Sequence, residues 1–192
     1  YYNFIHPTYG LLPHSKNKAA SQIMSYPTNI RDAIYEALTG SVKDFLKNNS
    51  LLNIRKAAIE YTIKSYFEDG TSRPLKINIV FLQTMLLFAI AFDNDAFYHP
   101  KFAGGDFSRS VWISNTISLA YAIKLYLYKP EKLRDANPDS DEKVARRIWW
   151  SLYIMDRWNA ASSSSPVMIP DTASVLYPDD LPLLGDTLWN LA

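Results

Sequence analysis

The residues from Leu75 to Phe92, LKINIVFLQTMLLFAIAF, form the most hydrophobic stretch of this chain. Its longest nearly apolar part begins at Ile79 and is interrupted by Gln83 and Thr84, so it falls short of the roughly 20 residues that a membrane-spanning helix needs. A helix that is apolar on all sides is stable when other helices surround it. The stretch therefore predicts the central helix of a soluble bundle, with no membrane partner.

The rest of the chain repeats a helical pattern and shows no strand-like alternation. Apolar residues recur three and four positions apart, which places them on one face of a helix, while prolines and polar stretches separate the segments. The pattern predicts an all-α fold, a single helical-bundle domain over residues 1–192. The expected segments are a short helix or turn with an extended connection over 1–29, helices over about 29–46, 50–67, 75–92, 108–128 and 141–160, and connections over 93–106 and 129–141.

The charged residues argue against direct DNA binding by this segment. The formal net charge is +1, and a domain that grips DNA phosphates shows a clustered excess of Lys and Arg. The densest basic pair, Arg146 and Arg147, is close to Asp141 and Glu142 in sequence, so we expect it on a solvated face. Asp139, three residues before Glu142, has the form of a capping box that opens this helix.

The absence of cysteine excludes disulfides, thiolate metal sites and a cysteine nucleophile. It also fits a reducing compartment such as the cytosol or the nucleus. No signal peptide is visible, and the chain reads as a domain excised from a longer protein.

Asp156 is the most informative polar residue. At about 100° per residue, it falls in one narrow sector with Ala145, Trp149 and Leu152, the most apolar face of its helix. Burying an ionised carboxylate there without partners would destabilise the fold by roughly several kcal/mol. Asp156 must therefore have hydrogen-bond partners from a neighbouring helix or from backbone N–H groups. Two interpretations remain open. Asp156 either fixes helix register or caps the following loop, or it lines a ligand pocket together with the nearby aromatic side chains.

Three segments, in order, carry a family resemblance. The most specific is RRIWWSLYIMDR, from Arg146 to Arg157, and the others are YYNFIHP at residues 1–7 and LQTMLL at residues 82–87. Together with Leu181-Pro182, they resemble the fungal-specific transcription factor domain, the middle homology region of zinc binuclear cluster regulators. The chain departs from the family where Gly-Arg-Pro often follows the signature helix, since it has Ser164-Ser165-Pro166. It also has Lys124-Leu125-Tyr126 where a Gly-Leu-His-like turn is frequent.

The resemblance implies a nuclear regulatory domain that senses an effector. Its zinc-cluster DNA-binding domain would lie outside this segment, so no cofactor is expected here and DNA contact would be indirect. The opening residues and the serine run are similar to family members that repress hexose-transporter genes in response to glucose, which implies a hexose as effector and a corepressor as partner. The expected ligand-binding residues are Gln83, Trp112, Asn115, Trp149, Trp150, Tyr153, Asp156 and Arg157.

Two alternatives to effector binding are a protein-interaction scaffold and an enzyme. A scaffold without a ligand, corepressor-binding or kinetochore-like, would use the same fold, because fold does not settle function. Enzymatic activity is not expected, since no nucleophile elbow, phosphate-binding glycine loop or zinc-protease motif occurs. His6, His14 and His99 are far apart in sequence and near prolines, so they are expected in loops or turns rather than as metal ligands.

Overall fold

The computed structural model describes residues 1–42, 60–62, 64–65, 73–98, 109–127 and 137–173, and over these ranges the fold is all-α, as predicted. A turn-rich segment opens the chain at residues 1–15. The helices are α1 (Lys16–Ser25), α2 (Thr28–Ser41), α3 (Leu75–Tyr98), α4 (Arg109–Ala122) and α5 (Asp141–Ser163), with 3₁₀ turns at Leu125–Leu127 and Asp171–Ala173.

Helix α3 is the centre of the bundle, because α2, α4 and α5 all pack against it. By length and composition its segment Leu75–Phe92 could cross a membrane, but 72% of that segment is buried inside the protein. The side chains from Ile79 to Ala89 are buried all the way round the helix, including the polar Gln83 and Thr84. A helix apolar on every face thus lies where the sequence predicts it, in the core.

Several predicted boundaries were wrong. Helix α1 lies in the stretch expected to be an extended connection; its Ser15 accepts a hydrogen bond from the Lys18 N–H as an N-cap, and Ala19 and Ile23 face the core. Helix α3 runs six residues beyond Phe92, into the predicted connection. Residues 60–62 and 64–65 are helical, and the rest of the predicted 50–67 helix lies outside the described residues, as do 99–106 and 129–136.

The two departures from the family pattern coincide with the two described non-glycine residues that have positive φ. Helix α4 ends at Ala122 instead of continuing to residue 128, and Lys124 follows it with φ 57°. Ser164 ends α5 with φ 54° and ψ 32°. Glycine adopts this left-handed conformation readily, whereas other residues pay for the contact between Cβ and the backbone. Lys124 and Ser164 therefore adopt a left-handed conformation that glycine would adopt with less strain.

The N-cap of α5 is Ser140, whose hydroxyl accepts a hydrogen bond from the Lys143 N–H, so the predicted capping box from Asp139 was wrong. Asp139 instead accepts hydrogen bonds from the backbone N–H groups of His14 and Ser15, at 2.7 and 3.1 Å. Burial raises the pKa of the Asp139 carboxyl, but these bonds and the nearby Arg147 outweigh it and leave the pKa below its usual value.

The expectation that Arg146 and Arg147 form a solvated face was also wrong, because both are about 1% exposed. The Arg147 guanidinium donates to the carbonyls of Gly10 (3.0 Å), Leu12 (3.1 Å) and Pro138 (2.7 Å) and contacts Asp139 at 3.4 Å. Gly10 is suited to this position, since a Cβ there would lie 3.2 Å from Arg147 Cδ. Arg147 thus ties the N-terminal segment to α5.

We expect Arg147→Met to lower the free energy of unfolding by about 3–5 kcal/mol, because it leaves the carbonyls of Gly10 and Leu12 without their donor and removes the countercharge of Asp139. The measurement is urea denaturation followed by circular dichroism. Arg31→Ala, on the partly exposed face of α2, is the control and should shift stability by less than about 0.5 kcal/mol. Equal effects of the two substitutions would contradict the assigned role of Arg147.

We expect Lys124→Gly and Ser164→Gly each to raise the free energy of unfolding by about 0.5–1 kcal/mol. Removing the strain of a left-handed residue gains roughly 1–2 kcal/mol, and part of this is offset by the greater freedom of glycine in the unfolded chain. Lys124→Ala is the control, since it removes the side chain but keeps the Cβ. A glycine variant no more stable than the alanine variant would contradict the strain argument.

Candidate functional site

The Asp156 carboxylate is 1% exposed, which confirms that it lies inside the fold and has partners. It accepts hydrogen bonds from the backbone N–H groups of Met168 (3.0 Å) and Ile169 (2.9 Å), while Arg157 Nη1 lies 3.5 Å from Oδ2. The left-handed Ser164 turns the chain back after α5, so that these two N–H groups meet the helix. Of the two interpretations, this geometry supports Asp156 as the cap of the following loop.

Arg157 and Tyr153, one helical turn apart on α5, form a polar cluster with the same loop. The Arg157 guanidinium lies over the Tyr153 ring, 3.3 Å from its centroid, and Nη2 donates to the Ile169 carbonyl at 2.9 Å. Nη2 also donates to Asp171, and the Tyr153 hydroxyl donates to the same carboxylate oxygen at 2.8 Å. These two donors hold the pKa of the Asp171 carboxyl below its usual value. Burial, followed by the bond to Asp171, raises the pKa of Tyr153.

Trp150 continues this cluster along α5. Its ring centroid lies 5.3 Å from that of Tyr153 in an edge-to-face arrangement, and the Arg146 guanidinium lies 5.2 Å from the Trp150 ring. The side chain is 5% exposed, and its indole N–H has no hydrogen-bond partner. A buried donor without an acceptor costs about 1–3 kcal/mol, and the core residues Trp112 and Trp149 have the same unpaired indole N–H.

The other predicted tryptophans belong to the core. Trp149 is fully buried and packs against Tyr121 and Tyr126, with ring centroids 5.8 and 6.0 Å away. Trp112 packs against Phe88 at 5.0 Å. Sequence reasoning did not single out Tyr121 or Tyr126, although the unusual Lys124-Leu125-Tyr126 turn, which brings Tyr126 back to α5, was a signal for the second.

The predicted polar residues on α3 and α4 do not join the cluster. Gln83 donates through Nε2 to the Leu11 carbonyl at 2.7 Å, which makes it another tie for the N-terminal segment. Asn115 lies partly exposed on α4. The structure therefore brings together Trp150, Tyr153, Asp156 and Arg157, adds Asp171, and leaves Gln83, Trp112, Asn115 and Trp149 elsewhere.

His6 and His14 occupy a turn and a bend, as predicted, yet they meet, with 3.0 Å between Nε2 of His6 and Nδ1 of His14. Burial, then the neighbouring His14, lowers the pKa of His6 to about 4. Two nitrogens are too few for a structural metal site. Within the described ranges, no three His, Asp or Glu side chains assemble a metal-binding group; His99 lies outside those ranges.

The family follows from comparison with known proteins. The chain matches the model of the fungal-specific transcription factor domain over residues 21–191, and it belongs to that family. Its members are generally regulators of transcription rather than enzymes.

A curated relative is an uncharacterised transcriptional regulatory protein of Schizosaccharomyces pombe, 31% identical over 194 aligned positions. The match covers 96% of this chain but 22% of that protein, so the chain spans about a fifth of the relative's length. No solved structure matches the chain.

We expect Asp156→Ala to lower the free energy of unfolding by at least about 2 kcal/mol, because it leaves the N–H groups of Met168 and Ile169 without an acceptor. Hydrogen exchange at these two amides should become much faster. Asp171→Ala is the control, since that carboxylate lies at the surface and its loss should change stability little. Unchanged protection of Met168 and Ile169 in Asp156→Ala would show that Asp156 does not hold the loop.

Proposed function

We propose that this chain is the effector-responsive regulatory domain of a fungal zinc-cluster transcription factor that acts in the nucleus. Membership of the family supports a regulatory role, and the Schizosaccharomyces pombe relative is described as a transcriptional regulator. The chain has no cysteine and a net charge of +1, so these residues do not fit a zinc cluster or a surface that grips the DNA backbone. DNA is bound by a zinc-cluster domain outside this segment, and no cofactor is bound within it.

The effector binds at the Trp150–Tyr153–Arg157 cluster, and the partly exposed Arg157 guanidinium, held over the Tyr153 ring, is the observation that carries this assignment. The Trp150 ring packs edge-to-face against the Tyr153 ring, and its indole N–H is unpaired, as are those of Trp112 and Trp149 in the core. All three side chains can donate hydrogen bonds, and the rings of Trp150 and Tyr153 offer apolar surface. A small molecule rich in oxygen acceptors fits this chemistry, since binding sites combine a few placed polar groups with apolar walls.

A hexose is the first candidate for the effector, because its hydroxyls accept hydrogen bonds and its CH groups pack on aromatic rings. Gln83 is bonded to the Leu11 carbonyl away from the cluster, and Asp156 is bonded to backbone N–H groups, so neither serves as a ligand of this site. The proposed ligand therefore lies on one face of α5, and Gln83, Trp112 and Asn115 on the other helices do not contact it.

Regulation requires that the effector prefer one conformation over another. The loop from Met168 to Asp171 supplies that possibility, because α5 holds it through Asp156, Arg157 and Tyr153. An effector on Arg157 and Tyr153 would compete for, or reinforce, these contacts. A coupling of about 1–3 kcal/mol is sufficient to change the affinity for a corepressor or for DNA.

Titration calorimetry with glucose and other monosaccharides tests the proposal. We expect binding that Trp150→Phe weakens about three- to tenfold, because phenylalanine keeps the ring surface but lacks the N–H that contributes about 0.5–1.5 kcal/mol. Trp158→Phe is the matched control, because Trp158 lies on the same helix and is 50% exposed. The Trp158→Phe variant should bind the monosaccharide with unchanged affinity. If no monosaccharide binds, the proposal of a hexose effector is wrong. If Trp150→Phe binds with unchanged affinity, the proposed location of the site is wrong.

A protein-interaction domain without a small ligand is the second candidate. Three large apolar side chains near the cluster in sequence are about half exposed, namely Trp158, Val167 and Met168. Exposed apolar groups of this kind favour contact with a corepressor or another protein. If this function holds, Trp158→Ser will abolish repression of a reporter gene while the titrations above show no heat.

A further inference from the structure

The carboxylate of Asp171 is held at the cluster although almost nothing covers it. Its side chain is 85% exposed, while that of its partner Arg157 is 24% exposed. Arg157 Nη2 and the Tyr153 hydroxyl both donate to the same oxygen, Oδ1. Exposed ion pairs contribute little free energy, so this carboxylate can be exchanged for another anion.

Contacts that do not involve Asp171 hold the Arg157 guanidinium, one of its two donors, in place. The Arg157 guanidinium lies over the Tyr153 ring, donates to the Ile169 carbonyl and contacts Asp156. Asp156 in turn is locked by two backbone N–H groups. Because these contacts set the orientation of the guanidinium, departure of Asp171 would leave a preorganised donor pair rather than a collapsed one.

We propose that the cluster is an anion-binding site in which Asp171 is the protein's own occupant, and that the effector displaces it with a carboxylate or phosphate group. Arg157 and Tyr153 then donate to the anion as they now donate to Asp171. Arginine has the donor geometry for both groups. The Trp150 ring, whose centroid lies 5.3 Å from that of Tyr153, adds an aromatic wall beside these two donors.

The place that Asp171 occupies already accommodates an anion. With Asp171 in place, the guanidinium of Arg157 faces the carboxylates of Asp156 and Asp171. An anionic ligand that displaced Asp171 would keep an ionic contact on the exposed side of Arg157, whereas a neutral sugar would replace it with neutral hydrogen bonds. This inference rests on the proposed function, because it names the chemical class of the effector for the same site.

Displacement of Asp171 by the effector would also change the conformation of the segment that follows α5. Asp171 begins the 3₁₀ turn Asp171–Ala173, directly after the residues that Asp156 holds. Displacement of Asp171 would release this turn, while Met168 and Ile169 stay attached to α5. The segment after α5 would therefore have two states, one closed by Asp171 and one opened by the effector.

Titration calorimetry of the 192-residue chain with inorganic phosphate, malonate, glucose 6-phosphate and glucose tests this proposal. We expect the anions to bind and Asp171→Asn to tighten their binding about two- to fivefold, because it removes a weak internal competitor. Asp32→Asn, which removes an exposed carboxylate from α2, is the matched control for net charge and should leave affinity unchanged. Tyr153→Phe, which keeps the ring under Arg157, should weaken anion binding.

The outcomes separate this inference from the proposed function. Binding of glucose without binding of any anion, or anion binding that Asp171→Asn leaves unchanged, overturns the inference and leaves an effector site on α5. Binding of all three anions with no contribution from the sugar supports a general anion site and removes the hexose. Preference for glucose 6-phosphate over phosphate supports both, with the sugar and the anion recognised together.

Discussion

The placement of the N-terminal segment depends on the hydrogen bonds of the buried Arg147 guanidinium. From the first half of α5, this guanidinium donates hydrogen bonds to carbonyls of two separate segments. These are the carbonyls of Gly10 and Leu12 in the opening segment and that of Pro138 just before α5. A buried charge of this kind is not by itself a large source of stability, since its desolvation offsets much of the attraction. Its effect is selective: other placements of the opening segment would leave a cation and a carboxylate buried without partners.

Helix α5 repeats this arrangement at its other end. Arg147 and the nearby Asp139 hold the segment that leads towards α1, and Arg157 and Asp156 hold the segment that follows α5. In both cases the carboxylate accepts from two successive backbone N–H groups and the guanidinium donates to a carbonyl of the same segment. The charged residues of the signature run thus organise connections, while its tryptophans fill the core or border it.

Sequence periodicity was enough to place α3 at the centre and Asp156 inside, because both conclusions need only the geometry of a single helix. It failed for Arg146 and Arg147, whose acidic neighbours in sequence suggested a solvated face. The acceptors of Arg147 at Gly10 and Leu12 lie 137 and 135 residues away, and no local pattern reports them. The same limit explains Asp139, which has the spacing of a cap but finds better donors in a distant segment. The predicted site residues divided likewise: Trp150, Tyr153, Asp156 and Arg157 on α5 lie together, whereas Trp149 on the same helix and the residues of other helices lie elsewhere.

The contacts around Asp156 also support placing the proposed effector on α5 rather than between the central helices. A ligand between the central helices would have to separate aromatic rings that are already in contact, such as Trp149 with Tyr121, and the lost packing would count against binding. At the proposed site on α5, Arg157 and Tyr153 are already oriented, and among the described residues the group that would move is the exposed side chain of Asp171. Binding there costs little reorganisation and acts directly on the chain that follows the helix. A regulatory domain needs both properties, because its ligand must bind reversibly and must change something beyond its own contacts.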